Sequence, residues 1–132
     1  MSEIKDEIRN GRIINKEVVT AAAEELAKKR NAKLTKEMMR IAVDSEFERK
    51  NALLNLQRNR DEEDPIKACL KAKEANEIAV KEGKMTPEEF REANRKADDE
   101  KDKALRSISD EYYTLRNQLQ KQCYDVLNDW DD

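Results

Sequence analysis

The sequence contains no histidine, and only two glycines, two prolines and two cysteines among 132 residues. Without histidine there is no Ser-His or Cys-His nucleophile pair, no imidazole base, and no Glu-x-x-His ligand set of the di-iron helical bundles. Gly11 and Gly83 stand alone, so no glycine-rich loop can cradle a phosphate. Cys69 and Cys123 form no C-x-x-C pair and read as reduced seam thiols, not a disulfide framework. No apolar run approaches the ~18 residues that span a bilayer, and no signal-peptide core follows Met1. Aromatics are few: Phe47, Phe90, Tyr112, Tyr113, Tyr124 and Trp130.

Charged residues make up 43% of the chain and hydrophobic ones 37%. Ordering the backbone costs roughly 1–2 kcal/mol per residue, and so polar a chain has little apolar surface to offset that in a compact globule. Disorder and long helices that each bury a narrow stripe are the two outcomes that fit. The scarcity of glycine and proline argues against a flexible linker. The expected class is therefore all-α: an extended helical hairpin or bundle of three to five helices with coiled-coil-like packing, forming a single unit over 1–132.

The net charge of −3 conceals an asymmetry. Residues 1–60 hold 14 basic and 10 acidic side chains, whereas 61–132 hold 13 and 20. Such a dipole can orient neighbouring molecules or steer a charged partner, and an isoelectric point near 5.3 argues against general nucleic-acid binding.

The helix ends can be read residue by residue. In Gly83-Lys84-Met85-Thr86-Pro87-Glu88-Glu89-Phe90, Gly83 suits the left-handed position that closes one helix. Thr86 then caps the next, Pro87 occupies its first position, and Glu89 completes a capping box. Met85 and Phe90 are placed to form a hydrophobic staple, so the segment predicts a tight helical hairpin. These eight residues also resemble the G-x-I-T-x-E-E-F hairpin of short C-terminal (SHOCT) domains. The likeness extends no farther, capping accounts for all of it, and it implies the turn alone.

Similar signals lie upstream. Asn15 caps a helix to about Arg30, with Ile14 and Val19 as staple, and Thr35 caps one to about Arg58, with Leu34 and Met39. Asp64-Pro65 is expected to open a further helix to Glu82, its positive end favoured by Asp61, Glu62 and Glu63. A short first helix covers about Glu3 to Arg9. This gives short N-terminal helices in 1–34, a two-helix arm in 35–82, and a helix of about 43 residues over 87–129, about 64 Å long.

Ala68, Ala72, Ala75 and Ala79 face Ala93, Ala97 and Ala104 across the expected hairpin, allowing close approach. Ile108, Tyr112, Leu115, Leu119, Val126 and Trp130 form a heavier stripe at coiled-coil spacing. A register pairing residue j with about 169 − j puts Cys69 opposite position 100. It leaves Cys123 roughly 35 Å farther along, excluding a disulfide between them. Either the 35–58 and 65–82 helices are collinear, broken at 61–64, or the first folds back and the heavy stripe projects toward another chain. The stripe is accordingly the expected protein interface.

No catalytic, cofactor-binding or metal-ligating set emerges. Asp98-Asp99-Glu100-Lys101-Asp102 spreads its acids around a helix instead of converging them, and reads as a solvated face. The expected function is a non-enzymatic structural or interaction protein. It would be a small helical subunit or adaptor of a larger assembly or homo-oligomer, located in the cytoplasm or in a virion of the phage type. The alternative is a regulator docking on nucleic acid, or on a nucleic-acid-bound machine, through the basic half and Lys28-Lys29-Arg30-Asn31-Ala32-Lys33. Against that alternative, a reader helix would begin Lys36-Glu37-Met38-Met39, apolar where base contacts belong.

Overall fold

A computed structural model describes residues 3–11 and 13–130. They form four α-helices: α1 (Glu3–Arg9), α2 (Lys16–Lys29), α3 (Lys36–Lys81) and α4 (Pro87–Asn128), with no strand among the described residues. The all-α class and the long packed helices are as the composition requires.

The helix ends follow the local chemistry. The Glu17 and Val18 backbone N–H groups donate to Asn15 Oδ1 at 2.9 and 3.2 Å, and Met38 N–H donates to Thr35 Oγ1 at 3.3 Å. At Thr86 the capping box is complete: Glu89 N–H donates to Thr86 Oγ1 (3.2 Å), while Thr86 N–H donates to Glu89 Oε1 (3.0 Å). Gly83 sits at φ +72°, with Lys84 N–H bonded to Ala79 O and Gly83 N–H to Val80 O, the paired bonds of a Schellman ending. Asn31 does the same for α2 at φ +50°, through Ala32 to Ala27 and Asn31 to Lys28, so that turn needs no glycine.

One expected boundary is absent. The sequence placed a break at 61–64 and a new helix from Asp64-Pro65, but α3 runs unbroken through Pro65. The two-helix arm is one helix, and the folded-back alternative is thereby excluded. Pro65 withholds one backbone donor and costs about 3 kcal/mol in a helix interior. The long flanking helical stretches, held by tertiary contacts in both units below, outweigh that local penalty.

By density of contacts the chain divides into two units, each containing part of α3 and part of α4. The first comprises Met1–Gln57 and Tyr112–Asp132, and the second Arg58–Glu111.

The first unit holds the apolar core. Its fully buried large side chains are Ile8 from α1, Val19 from α2, Met39, Val43 and Leu54 from α3, and Leu115 and Leu119 from α4. Burying each such side chain is worth about 1.5–3 kcal/mol. Ile13 and Ile14, in the link between α1 and α2, are buried with them. Val19, Ala23 and Ala27 repeat at intervals of four and give α2 one narrow buried face. Gln122 Nε2 donates to the Ile8 carbonyl at 2.7 Å, and Lys5 Nζ lies 5.0 Å from the centre of the Tyr112 ring. Both contacts fasten α1 to α4.

The second unit is an antiparallel hairpin with a thin seam, in which Cys69 and Ala97 are its only buried hydrophobic residues among those described. Ala72, Ala79, Ala93 and Ala104 are half-buried along it, but Ala68 and Ala75 are exposed. The α3 seam therefore runs through Pro65, Cys69, Ala72, Asn76 and Ala79, not through the four alanines that the sequence suggested. The alanine pattern and the actual seam share two positions. What separates them is that a cysteine and an asparagine hold seam places through their bonds to α4.

Candidate interaction surface

Four polar ties fix the hairpin register. Arg58 Nη2 donates to Ser109 Oγ at 3.3 Å, the Cys69 thiol to Asp98 Oδ1 at 3.5 Å, and Asn76 Nδ2 to Asn94 Oδ1 at 3.0 Å. Lys73 Nζ lies 2.6 Å from Asp98 Oδ1. The paired residue numbers add to between 167 and 171, close to the register expected from the turn. Cys69 and Cys123 are free thiols.

Asp98 is more than a member of an acidic run. Its hydrogen bond to Lys73 holds its carboxyl below the ordinary range against the opposing effect of burial, and the Cys69 thiol and Lys101 add to the lowering. Lys73 is raised in turn, chiefly by the same bond. The Cys69–Asp98–Lys73 cluster thus ties the two helices of the hairpin together. Asp99, Glu100 and Asp102 are exposed around α4. A cavity of about 240 Å³ beside the seam is walled by Pro65, Ala68, Cys69, Ala72, Ala97, Glu100 and Ala104. It brings one carboxylate and one thiol to alkyl walls, without the convergent polar groups that orient a small ligand. Among the described residues no three His, Cys, Asp or Glu side chains converge as metal ligands. No helix there is long and apolar enough to cross a membrane.

The residues expected to form a protein interface lie elsewhere than on an open face. Tyr112, Leu115 and Leu119 are closed inside the first unit, joined by Cys123 and Leu127. Val126 and Trp130 are half-buried in that unit, and Ile108 is half-buried in the second. Of the two arrangements the sequence allowed, the one in which the chain itself covers most of the stripe is present: Tyr112, Leu115 and Leu119 are buried in the unit that also holds α1, α2 and the first part of α3. The N-terminal helices supply cover that a hairpin-only picture did not count. Of the turn residues, Gly83, Thr86, Pro87 and Glu89 are exposed, while Met85 and Phe90 are half-buried.

For the nucleic-acid alternative, Met38 and Met39 at the start of α3 are buried in the first unit. The two methionines of the supposed reader's first turn therefore face the core, while Glu37 and Arg40 beside them are exposed.

No family model matches the chain, and no curated protein or solved structure does either. What distinguishes its surface is then a matter of its own residues. In α4 the apolar side chains concentrate on one face, whereas in α3 they are spread around the helix. The outer side of α3 consequently leaves large aliphatic groups in solvent. In the second unit these are Ile66 (41% exposed), Leu70 (57%) and Ile78 (55%). In the first, Leu53 and Leu56 are exposed likewise. Sequence periodicity flagged the heavy stripe of α4 and passed over these residues. The signal that could have found them was the leftover: aliphatic residues of α3 that fit no single stripe.

Proposed function

We propose that this chain is a non-enzymatic interaction protein, a small helical subunit or adaptor within a larger protein assembly. The observation that supports this is the exposed aliphatic series on α3. In a chain only 37% hydrophobic, α3 leaves several large aliphatic side chains in water, and their burial against a partner would be favourable. The absence of histidine and the use of the Cys69–Asp98–Lys73 cluster as a tie support the non-enzymatic part of the reading. An assembly in the cytoplasm or a virion fits the composition equally.

Cross-linking mass spectrometry in cells producing the full chain tests the proposal. Lys67 and Lys71 border the exposed face, and cross-links from them to peptides of other molecules, or of a second copy, are the expected result. Links confined to single molecules, with Leu70→Asp leaving the pattern unchanged, would remove the proposal.

A further inference from the structure

The outer face of α3 in the second unit has an order of charges that can be read as its own complement. Glu63, Lys67, Leu70, Glu74, Glu77 and Lys81 follow alternating steps of four and three, the spacing of a coiled-coil seam. Within the helix, Lys67 lies 3.9 Å from Glu63, and Lys81 lies 3.9 Å from Glu77. Both pairs are well exposed. Turned end for end about the level of Ala72, the same face sets Lys81 level with Glu63 and Glu77 level with Lys67. Leu70 then falls about one helical turn from its counterpart, on either side of the dyad. Glu74 is level with Leu70 of the second copy, where its methylenes can lie along the leucine while its carboxylate stays in water. A parallel pairing would instead oppose each charge to itself.

We infer that the occupant of this face is a second copy of the chain, bound antiparallel about a two-fold axis level with Ala72 through Leu70 and four reciprocal Glu–Lys contacts. The inference rests on the reading of the protein as an interaction subunit and names its partner. A two-fold contact is self-complementary by construction, which is what the charge order supplies. The contact is small beside a permanent interface, so the dimer depends on concentration, and its exposed ion pairs make it weaken with salt.

Two double variants separate contacts between molecules from those within a helix. E63K/K67E keeps an opposite-charge pair inside the helix but brings like charges together across the dyad. E63K/K81E does the reverse: it places like charges four residues apart within the helix and keeps opposite charges across the dyad. Sedimentation velocity of the full chain over a concentration series, with circular dichroism to follow helix content, reads the result. The expected outcome is a dimer weakened at least ~10-fold by E63K/K67E and within ~3-fold of the original for E63K/K81E. Leu70→Gln, which changes no charge, weakens it as well. Equal behaviour of the two double variants, or unaltered association of Leu70→Gln, overturns this pairing while leaving the interaction reading in place. A chain that stays monomeric at every concentration overturns the self-pairing, and the cross-links in cells then decide the broader reading separately.

Discussion

Asn76 and Asn94 meet across the hairpin through their side-chain amides, Nδ2 of the first 3.0 Å from Oδ1 of the second. Two asparagines occupy the seam where leucines would bind more strongly, and their hydrogen bond is satisfied in one register only. Asn76→Ala leaves the Asn94 amide half-buried without this partner. The expected loss is about 0.5–1.5 kcal/mol, measured by urea unfolding, with faster amide exchange confined to 58–111.

The Asp98–Lys73 pair makes the hairpin sensitive to pH at both ends. Asp98 has a lowered pKa, so its contribution is complete above the ordinary carboxylate range and disappears as pH falls through the lowered value. Lys73 has a raised pKa, so its contribution is complete below the ordinary lysine range and disappears as pH rises through the raised value. Asp98→Asn should therefore flatten the acid limb of hairpin protection in hydrogen exchange. An acid limb identical to that of the original chain would assign the effect to other carboxylates.

Leu119 and Leu70 offer a direct contrast between covered and uncovered leucines. Leu119 is fully buried, so Leu119→Ala should cost about 2–5 kcal/mol in the first unit. Leu70 is mostly exposed, and Leu70→Gln should change the stability of a single molecule by no more than about 0.5 kcal/mol. Denaturant unfolding at low protein concentration measures both without the contribution of association.

Pro65 sits inside a continuous helix, where its ring and missing N–H work against the fold. Pro65→Ala should stabilise the chain by about 1–3 kcal/mol, seen as a raised melting temperature with no loss of helical ellipticity. A lower melting temperature would mean that α3 depends on the proline at that point.

Cys123 has its pKa pushed up to about 11, by burial first and by the charge of Asp44 second. Its thiol should resist alkylation at pH 8 until the first unit unfolds, then react at the rate of an unfolded cysteine. The raised value also means that stability falls as pH rises above the ordinary thiol range, because only the unfolded chain ionises there. Mass spectrometry of peptides alkylated in native buffer and in denaturant checks the first statement.

Capping was the most legible part of the sequence. Asn15, Thr35, Gly83 and Thr86 act as their side chains or backbone freedom dictate, because a cap is settled by a few neighbouring residues. The hairpin register was legible for the same reason, since a tight turn fixes which residues pass each other. The break expected at 61–64 was not there: an acidic run before proline is a helix-start signal only when nothing farther away holds the helix together. The candidate surface was the least legible. Ile66, Leu70 and Ile78 look like ordinary helix residues until the position of α4 shows which side of α3 is already taken.

The sequence by itself determined the helical class, the turn, the caps and the absence of histidine-based chemistry, all of which depend on composition or on residues within about one helical turn. Tertiary structure decided which apolar stripe is closed. It buried Tyr112, Leu115 and Leu119 in a unit shared with α1 and α2, carried α3 through Pro65, and left the aliphatic residues of the outer α3 face in water. The reason is that a stripe of hydrophobic residues says only that something must cover it. Whether the cover is the same chain or another molecule depends on contacts between residues far apart in sequence, which no local pattern encodes.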